Sequence, residues 1–175
     1  SHFCNCHKLT KVTVKNLLLI NEKMFYQCNN LIYVDAPKVT QILYCAFFKC
    51  TSLSNISFPE VKYIGRHSFE NNDSIKRINL PSARELHEYS FYNCMNLVEV
   101  NLENCIILEH RIFKNCIKLQ TINLPKVEMI GSESFANTSL SKVELDSAHC
   151  LILSTYLKGG QFANCSKLTH VSMKN

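Results

Sequence analysis

Apolar positions recur along this chain on two nested periods. The longer period is 22 residues and sets a phenylalanine at Phe3, Phe25, Phe47, Phe69, Phe91, Phe113 and Phe135, with an eighth, Phe162, after a step of 27. Counting from each phenylalanine, six residues on stand Leu9, Leu31, Leu53, Ile75, Leu97, Leu119 and Leu168. Nine on stand Val12, Val34, Ile56, Ile78, Val100, Ile122 and Val171, and eleven on stand Val14, Ala36, Phe58, Leu80, Leu102, Leu124 and Met173. The Phe135 repeat slips by one residue, with Leu140, Val143 and Leu145 one place early, as a deletion in its turn would produce. A fixed period of 20–30 residues is the signature of a solenoid, in which each unit buries its apolar face only by stacking on its neighbours.

The shorter period is two. Val12-Thr13-Val14, Ile78-Asn79-Leu80 and Ile122-Asn123-Leu124 alternate in the way of short strands with one buried face. Pro37, Pro59, Pro81 and Pro125 follow this pair, and proline ends a strand because it has no N–H to donate. One such strand per repeat, always in the same chain direction, predicts a parallel sheet. The linking segments are too short and too interrupted for a long helix. They predict turns, single 3₁₀ turns and a second line of bridges at Ile42, Ile64, Leu86, Leu108 and Ile130.

Three residues after each phenylalanine comes Cys6, Cys28, Cys50, Cys94, Cys116 or Cys165; Asn72 and Thr138 take the slot in the two remaining repeats. Stacked rings should form one packing ladder and small buried thiols another. Asn5, Asn71, Asn93, Asn115, Asn137 and Asn164 precede that slot and suit left-handed turn positions.

The pattern Phe-x-x-Cys-x-x-Leu-x-x-Ile-x-Leu-Pro-x-Val-x-x-Ile-Gly resembles the BspA-like class of leucine-rich repeats. Its best copy runs from Phe47 through Ile64-Gly65 to Phe69, and Ile130-Gly131 repeats the ending. The resemblance covers nearly the whole chain. It implies a β-rich, right-handed solenoid of ~22-residue repeats with its parallel sheet on the concave face and little helix. It also implies protein recognition: members are commonly surface proteins that bind host matrix proteins or other cells, and intracellular scaffolds occur. No residue-level binding motif of the family is matched here.

The 175 residues form one domain, 1–175, of seven to eight repeats. The repeat pattern is cut at both ends without a visible cap, which reads as an excerpt of a longer protein. Residues 151–161 carry five extra positions and read as an insertion loop presenting Tyr156 and Leu157. Apolar residues make up 46%, enough for an extended core, and no apolar run is long enough to span a membrane. The net charge of +5 sits in residues 1–87, with 11 basic and 6 acidic side chains against 8 of each in 88–175. That bias is too mild, and too free of nucleic-acid motifs, to read as a nucleic-acid surface. Six of the ten cysteines share one slot, where parallel side chains point the same way, so free buried thiols fit better than disulfides. Cys4, Cys45, Cys105 and Cys150 lie off that ladder. Buried thiols suit a reducing compartment, whereas the resemblance implies the cell surface or secretion; the sequence leaves both open.

Side chains suited to chemistry are present without the arrangements chemistry needs. His2, Cys4, Cys6 and His7 are zinc-ligand types in no zinc-finger spacing, and no metal or other cofactor is assigned. His67, His87 and His110 read as solvated histidines on the arcs, since no nucleophile elbow or oxyanion turn accompanies Ser68 and Ser90. Lys158-Gly159-Gly160 lacks the rest of a P-loop. Asn55, Asn72, Asn137 and Asn164 stand in glycosylation sequons, although a glycan at Asn72 would oppose stacking. The chain is read as a non-enzyme.

The candidate functional surface is the polar face of the sheet. It comprises Lys11 and Thr13, Tyr33 and Asp35, Asn55 and Ser57, Arg77 and Asn79, Glu99 and Asn101, Thr121 and Asn123, and Lys142 and Glu144, followed by His170 and Ser172. A solvated strand face would show this pattern. So would a recognition surface for another protein, which a curved solenoid presents as an extended groove.

Overall fold

The computed structural model describes residues 3–145 and 160–173, together with the backbone of Cys150 and Leu151. The insertion residues Tyr156 and Leu157, and His2, lie outside the described residues. Each coil lays down a three-residue strand and then a two-residue one. The longer strands are β1 (Lys11–Thr13), β3 (Tyr33–Asp35), β5 (Asn55–Ser57), β7 (Arg77–Asn79), β9 (Glu99–Asn101), β11 (Thr121–Asn123), β13 (Lys142–Glu144) and β15 (His170–Ser172). The shorter ones are β2 (Leu19–Ile20), β4 (Gln41–Ile42), β6 (Tyr63–Ile64), β8 (Glu85–Leu86), β10 (Ile107–Leu108), β12 (Met129–Ile130) and β14 (Cys150–Leu151). The connections are turns and bends; the described residues contain no helix, and the single 3₁₀ turns expected reduce to isolated turn bonds such as Cys28 N–H to Phe25 C=O at 3.2 Å.

Every pairing is parallel and in the register of the repeat. Val34 faces Val12 and Ile56, and Ile64 faces Ile42 and Leu86. The short strands form one continuous seven-stranded ladder from β2 to β14. A third line of main-chain bonds runs along the arcs. Phe47 N–H donates to Ser68 C=O at 2.7 Å and Phe69 N–H to Ser90 C=O at 2.8 Å. Holding the arcs in this register requires left-handed backbone two residues either side of the phenylalanine. Asn71, Asn93 and Asn115 adopt it after the ring, as expected of asparagine, and His67, Tyr89 and Arg111 adopt it before the ring, where residue type gives no signal. At Gly65 and Gly131 neighbouring coils approach closely. A Cβ at Gly131 would lie 2.6 Å from the carbonyl carbon of Glu109.

The core is a set of parallel files of side chains along the solenoid axis. Phe25, Phe47, Phe69, Phe91, Phe113 and Phe135 are buried, and successive rings stack with centroids 5.0–6.0 Å apart. Leu31, Leu53, Ile75, Leu97 and Leu119 sit beside them without exposure. The one-residue slip is real: Leu140, Val143 and Leu145 are buried, and β13 pairs with β15 as Lys142 to His170.

The longer strands depart from expectation. They do not make one sheet. They form three rafts: β1-β3-β5, β7-β9-β11 and β13-β15. Both breaks fall where a repeat lacks its cysteine.

Candidate recognition face and its breaks

The cysteine slot ties each coil to the one before it. The thiols of Cys28, Cys50, Cys94 and Cys116 each donate to the carbonyl of the phenylalanine one repeat back, at 2.9, 3.0, 3.2 and 3.2 Å. In those coils the N–H three residues on closes a turn onto the slot carbonyl, as Leu97 does on Cys94 at 3.0 Å. Asn72 reaches the same acceptor, Phe47 C=O, at 2.8 Å through a longer side chain. Its own Oδ1 is buried without a partner, a fault costing about 1–3 kcal/mol. Thr138 bonds instead to its own repeat, Phe135 C=O, at 2.9 Å.

Downstream of Asn72, β7 is not hydrogen bonded to β5; downstream of Thr138, β13 is not hydrogen bonded to β11. Phe58 contributes at the first break. It stands where other repeats carry Val, Ala, Leu or Met, and its ring wedges against Phe47 and Phe69 with centroids 5.9 and 6.3 Å away. The strands that end each raft lose cover. Ile56 and Ile122 are half-buried, whereas Val34, Ile78 and Val100 are buried. The first break opens a depression of about 720 Å³ between Ser54–Pro59 and Ser74, Lys76, Arg77 and Asn79. The second, lined by Gln120–Pro125, Lys142 and Glu144, is about 300 Å³.

The side chains expected on the sheet surface are on it. Lys11, Thr13, Asn55, Arg77, Asn79, Glu99, Thr121, Asn123, Lys142 and Glu144 are exposed; Tyr33, Asp35, Ser57 and Asn101 are half-buried. The structure joins several of them. Lys11 Nζ lies 5.0 Å over the Tyr33 ring, Arg77 Nε lies 3.2 Å from Glu99, and Lys142 Nζ lies 2.6 Å from Glu144. On the central raft Asn101 donates to Asn79 at 2.8 Å and Asn123 to Asn101 at 2.7 Å. A second asparagine ladder links Asn71, Asn93, Asn115, Asn137 and Asn164 on the turn side, each amide donating to the one before.

The arc histidines correct one expectation. His67 and His87 are not simply solvated: their side chains are 26% and 21% exposed and both are held by carboxylates. His67 pairs with Glu70 and stacks on Tyr89, and His87 Nδ1 lies 2.9 Å from Glu109. Beside them Arg111 bonds Tyr89 and, at 2.6 Å, Glu133, which Lys114 also reaches at 3.0 Å. The Arg111 bond, reinforced by Lys114, holds the Glu133 carboxyl below its ordinary range. Neither neighbouring hydroxyl is prepared as a nucleophile, because Ser68 and Ser90 are fully buried and their Oγ atoms have no partner. The nine described cysteines are free thiols. Burial pushes Cys50 and Cys105 up to about 12, which keeps them protonated and inert at neutral pH. No cluster of three or more potential metal-ligating side chains occurs among the described residues. No helix there is long and apolar enough to cross a membrane.

The family model for the BspA type leucine rich repeat region matches in six copies over residues 1–97 and 84–175. No curated protein matches the chain. Among solved structures, a leucine-rich repeat protein of T. pallidum superposes with a TM-score of 0.71 at 27% identity, over 77% of this chain and 66% of that one. A leucine-rich repeat protein from Bacteroides ovatus gives 0.65 at 23%, over 99% and 57%. A leucine-rich cell surface protein from Faecalibacterium prausnitzii gives 0.52 at 17%, over 97% and 61%. The chain therefore spans less than two-thirds of each of these solved chains.

Proposed function

Since the chain belongs to the BspA-type leucine-rich repeat family, whose repeats serve as protein-interaction modules, we propose that it recognises another protein through the polar face of its longer strands. The observation that carries this reading is that face itself. Fourteen side chains from seven coils lie in register on it, most of them exposed, and the contacts among them leave much of their polar surface open to solvent. Hydrogen-bonding capacity left facing solvent at this density is what a polar protein partner needs. The sign of the charge alternates along the face, through Lys11, Asp35, Arg77, Glu99, Lys142 and Glu144, which favours one docking register over others.

The setting we infer is the cell surface or secretion, with an adhesion or receptor-type role. Support comes from the family's common use and from the Faecalibacterium neighbour, a leucine-rich cell surface protein. Docking of a signalling protein by an intracellular scaffold is the second reading, favoured by the free, buried thiols. Reversing charge at Arg77 and Glu99 together tests the face. Captured partner should fall at least tenfold while the melting temperature stays within a degree or two, because an exposed ion pair is worth at most ~1 kcal/mol. Unchanged capture would move the site to the arcs or the insertion.

A further inference from the structure

We propose that the first break in the sheet, between β5 and β7, is a seat for an extended acidic peptide, whose main chain pairs with the open strand edges while its carboxylates meet Lys76 and Arg77. This deepens the face reading and rests on it for the class of partner.

Three independent observations meet at this break. The first is main-chain capacity. In a parallel ladder alternate residues serve opposite neighbours. On β5, Asn55 and Ser57 are taken up by β3: Asn55 N–H donates to Ile32 C=O, and Ser57 C=O accepts from Ala36 N–H. On the far side, Leu80 N–H donates to Asn101 and Lys76 C=O accepts from Val98. That alternation turns the N–H groups of Ile56, Phe58, Arg77 and Asn79 towards the break, where no strand pairs with them. An unpaired edge is a template for another strand.

The second is charge. Lys76 and Arg77 are both exposed at the rim, and none of the residues lining the break is a carboxylate. Arg77 is shared with Glu99, at 3.2 Å, from one raft-strand away. The smaller break between β11 and β13 lacks this bias, since its Lys142 is already paired with Glu144.

The third is that the opening is built into the solenoid. The ladder of short strands and the arc bonds both run unbroken past it, Lys49 N–H donating to Glu70 C=O at 2.9 Å. Two sides of the coil stay closed, and only the recognition side parts, held by Phe58 and Asn72. The open edges are about 10 Å long, three residues at ~3.3 Å each, so the peptide must be extended and locally free of proline.

The test uses fluorescein-labelled Glu-Val-Glu-Val-Glu-Val-Glu-Val, its Lys-Val counterpart and a version with proline at both central positions. Anisotropy with the whole chain should show saturable binding of the acidic peptide and at least tenfold weaker binding of the other two. Lys76→Glu should weaken it tenfold. Phe58→Leu with Asn72→Cys restores the consensus repeat; it should raise the melting temperature and abolish binding. Amide exchange at Ile56, Phe58, Arg77 and Asn79 should slow on adding the acidic peptide, which side-chain attraction alone would not cause. Equal binding by the restored variant, preference for the basic peptide, unprotected amides or no saturable binding would each overturn the proposal. Lys76, Phe58 and Asn72 are not among the fourteen face side chains. Failure here therefore leaves the face reading standing, and that reading fails separately if reversal at Arg77 and Glu99 leaves protein capture unchanged.

Discussion

The residue that decides most at the smallest scale is the one three places after the phenylalanine. Where a cysteine stands there, its thiol donates to the previous phenylalanine carbonyl at about 3 Å and the longer strands of the two coils pair. Asparagine makes the same bond with a longer reach, and the strand that follows, β7, does not pair with β5 before it. The phenylalanines act differently: they fill volume. Phe91 is stacked between Phe69 at 5.0 Å and Phe113 at 5.6 Å and has no exposure. Phe91→Ala should therefore lower unfolding stability by about 3–5 kcal/mol, the range for an emptied aromatic site, measured by urea denaturation. Glu99→Ala on the exposed face should change it by under ~1 kcal/mol. Equal costs would show the ladder to be misassigned.

Among elements, the strands were legible and the arcs were not. Alternation around Val34, Ile78 and Val100 marks each strand directly, because period two has one meaning on a half-buried sheet. Nothing in His67, Tyr89 or Arg111 marks left-handed backbone, since the arc ladder imposes it on whatever residue stands there. The same arcs bring Arg111, Lys114 and Glu133 together from adjacent coils, a cluster invisible along the chain. It carries a pH signature. Glu133 is depressed below its ordinary value of 4.5 in the folded state. Its contribution is therefore fully present above the unfolded value and disappears as pH falls through the folded one. Melting temperature followed from pH 6 down to pH 3 should fall more steeply in the parent than in Glu133→Gln; identical slopes would remove Glu133 from the account.

At the scale of the whole molecule the question is whether the breaks divide it. They do not reach the core. Phe47, Phe58 and Phe69 bridge the first break through ring contacts, and the short-strand ladder passes it intact. Nearest-neighbour coupling in a solenoid is set by such interfaces. The chain should accordingly unfold in one calorimetric transition, with equal calorimetric and van't Hoff enthalpies. Two transitions would mean that each raft is its own unit. An open face on a closed rod is also what the peptide seat requires, because a hinge there would cost it its geometry.

The amino-acid sequence by itself determined the period, the strands, the buried ladders and the fourteen face positions. Each of these repeats every 22 residues, and a repeating environment leaves a repeating residue type. It also placed Asn72 in the cysteine slot and Phe58 among smaller neighbours. What those two exceptions do was decided only in three dimensions. A longer side chain and a larger ring act across coils, between atoms 11 to 25 residues apart, and whether neighbouring strands then pair or part depends on the spacing of the coils as a stack.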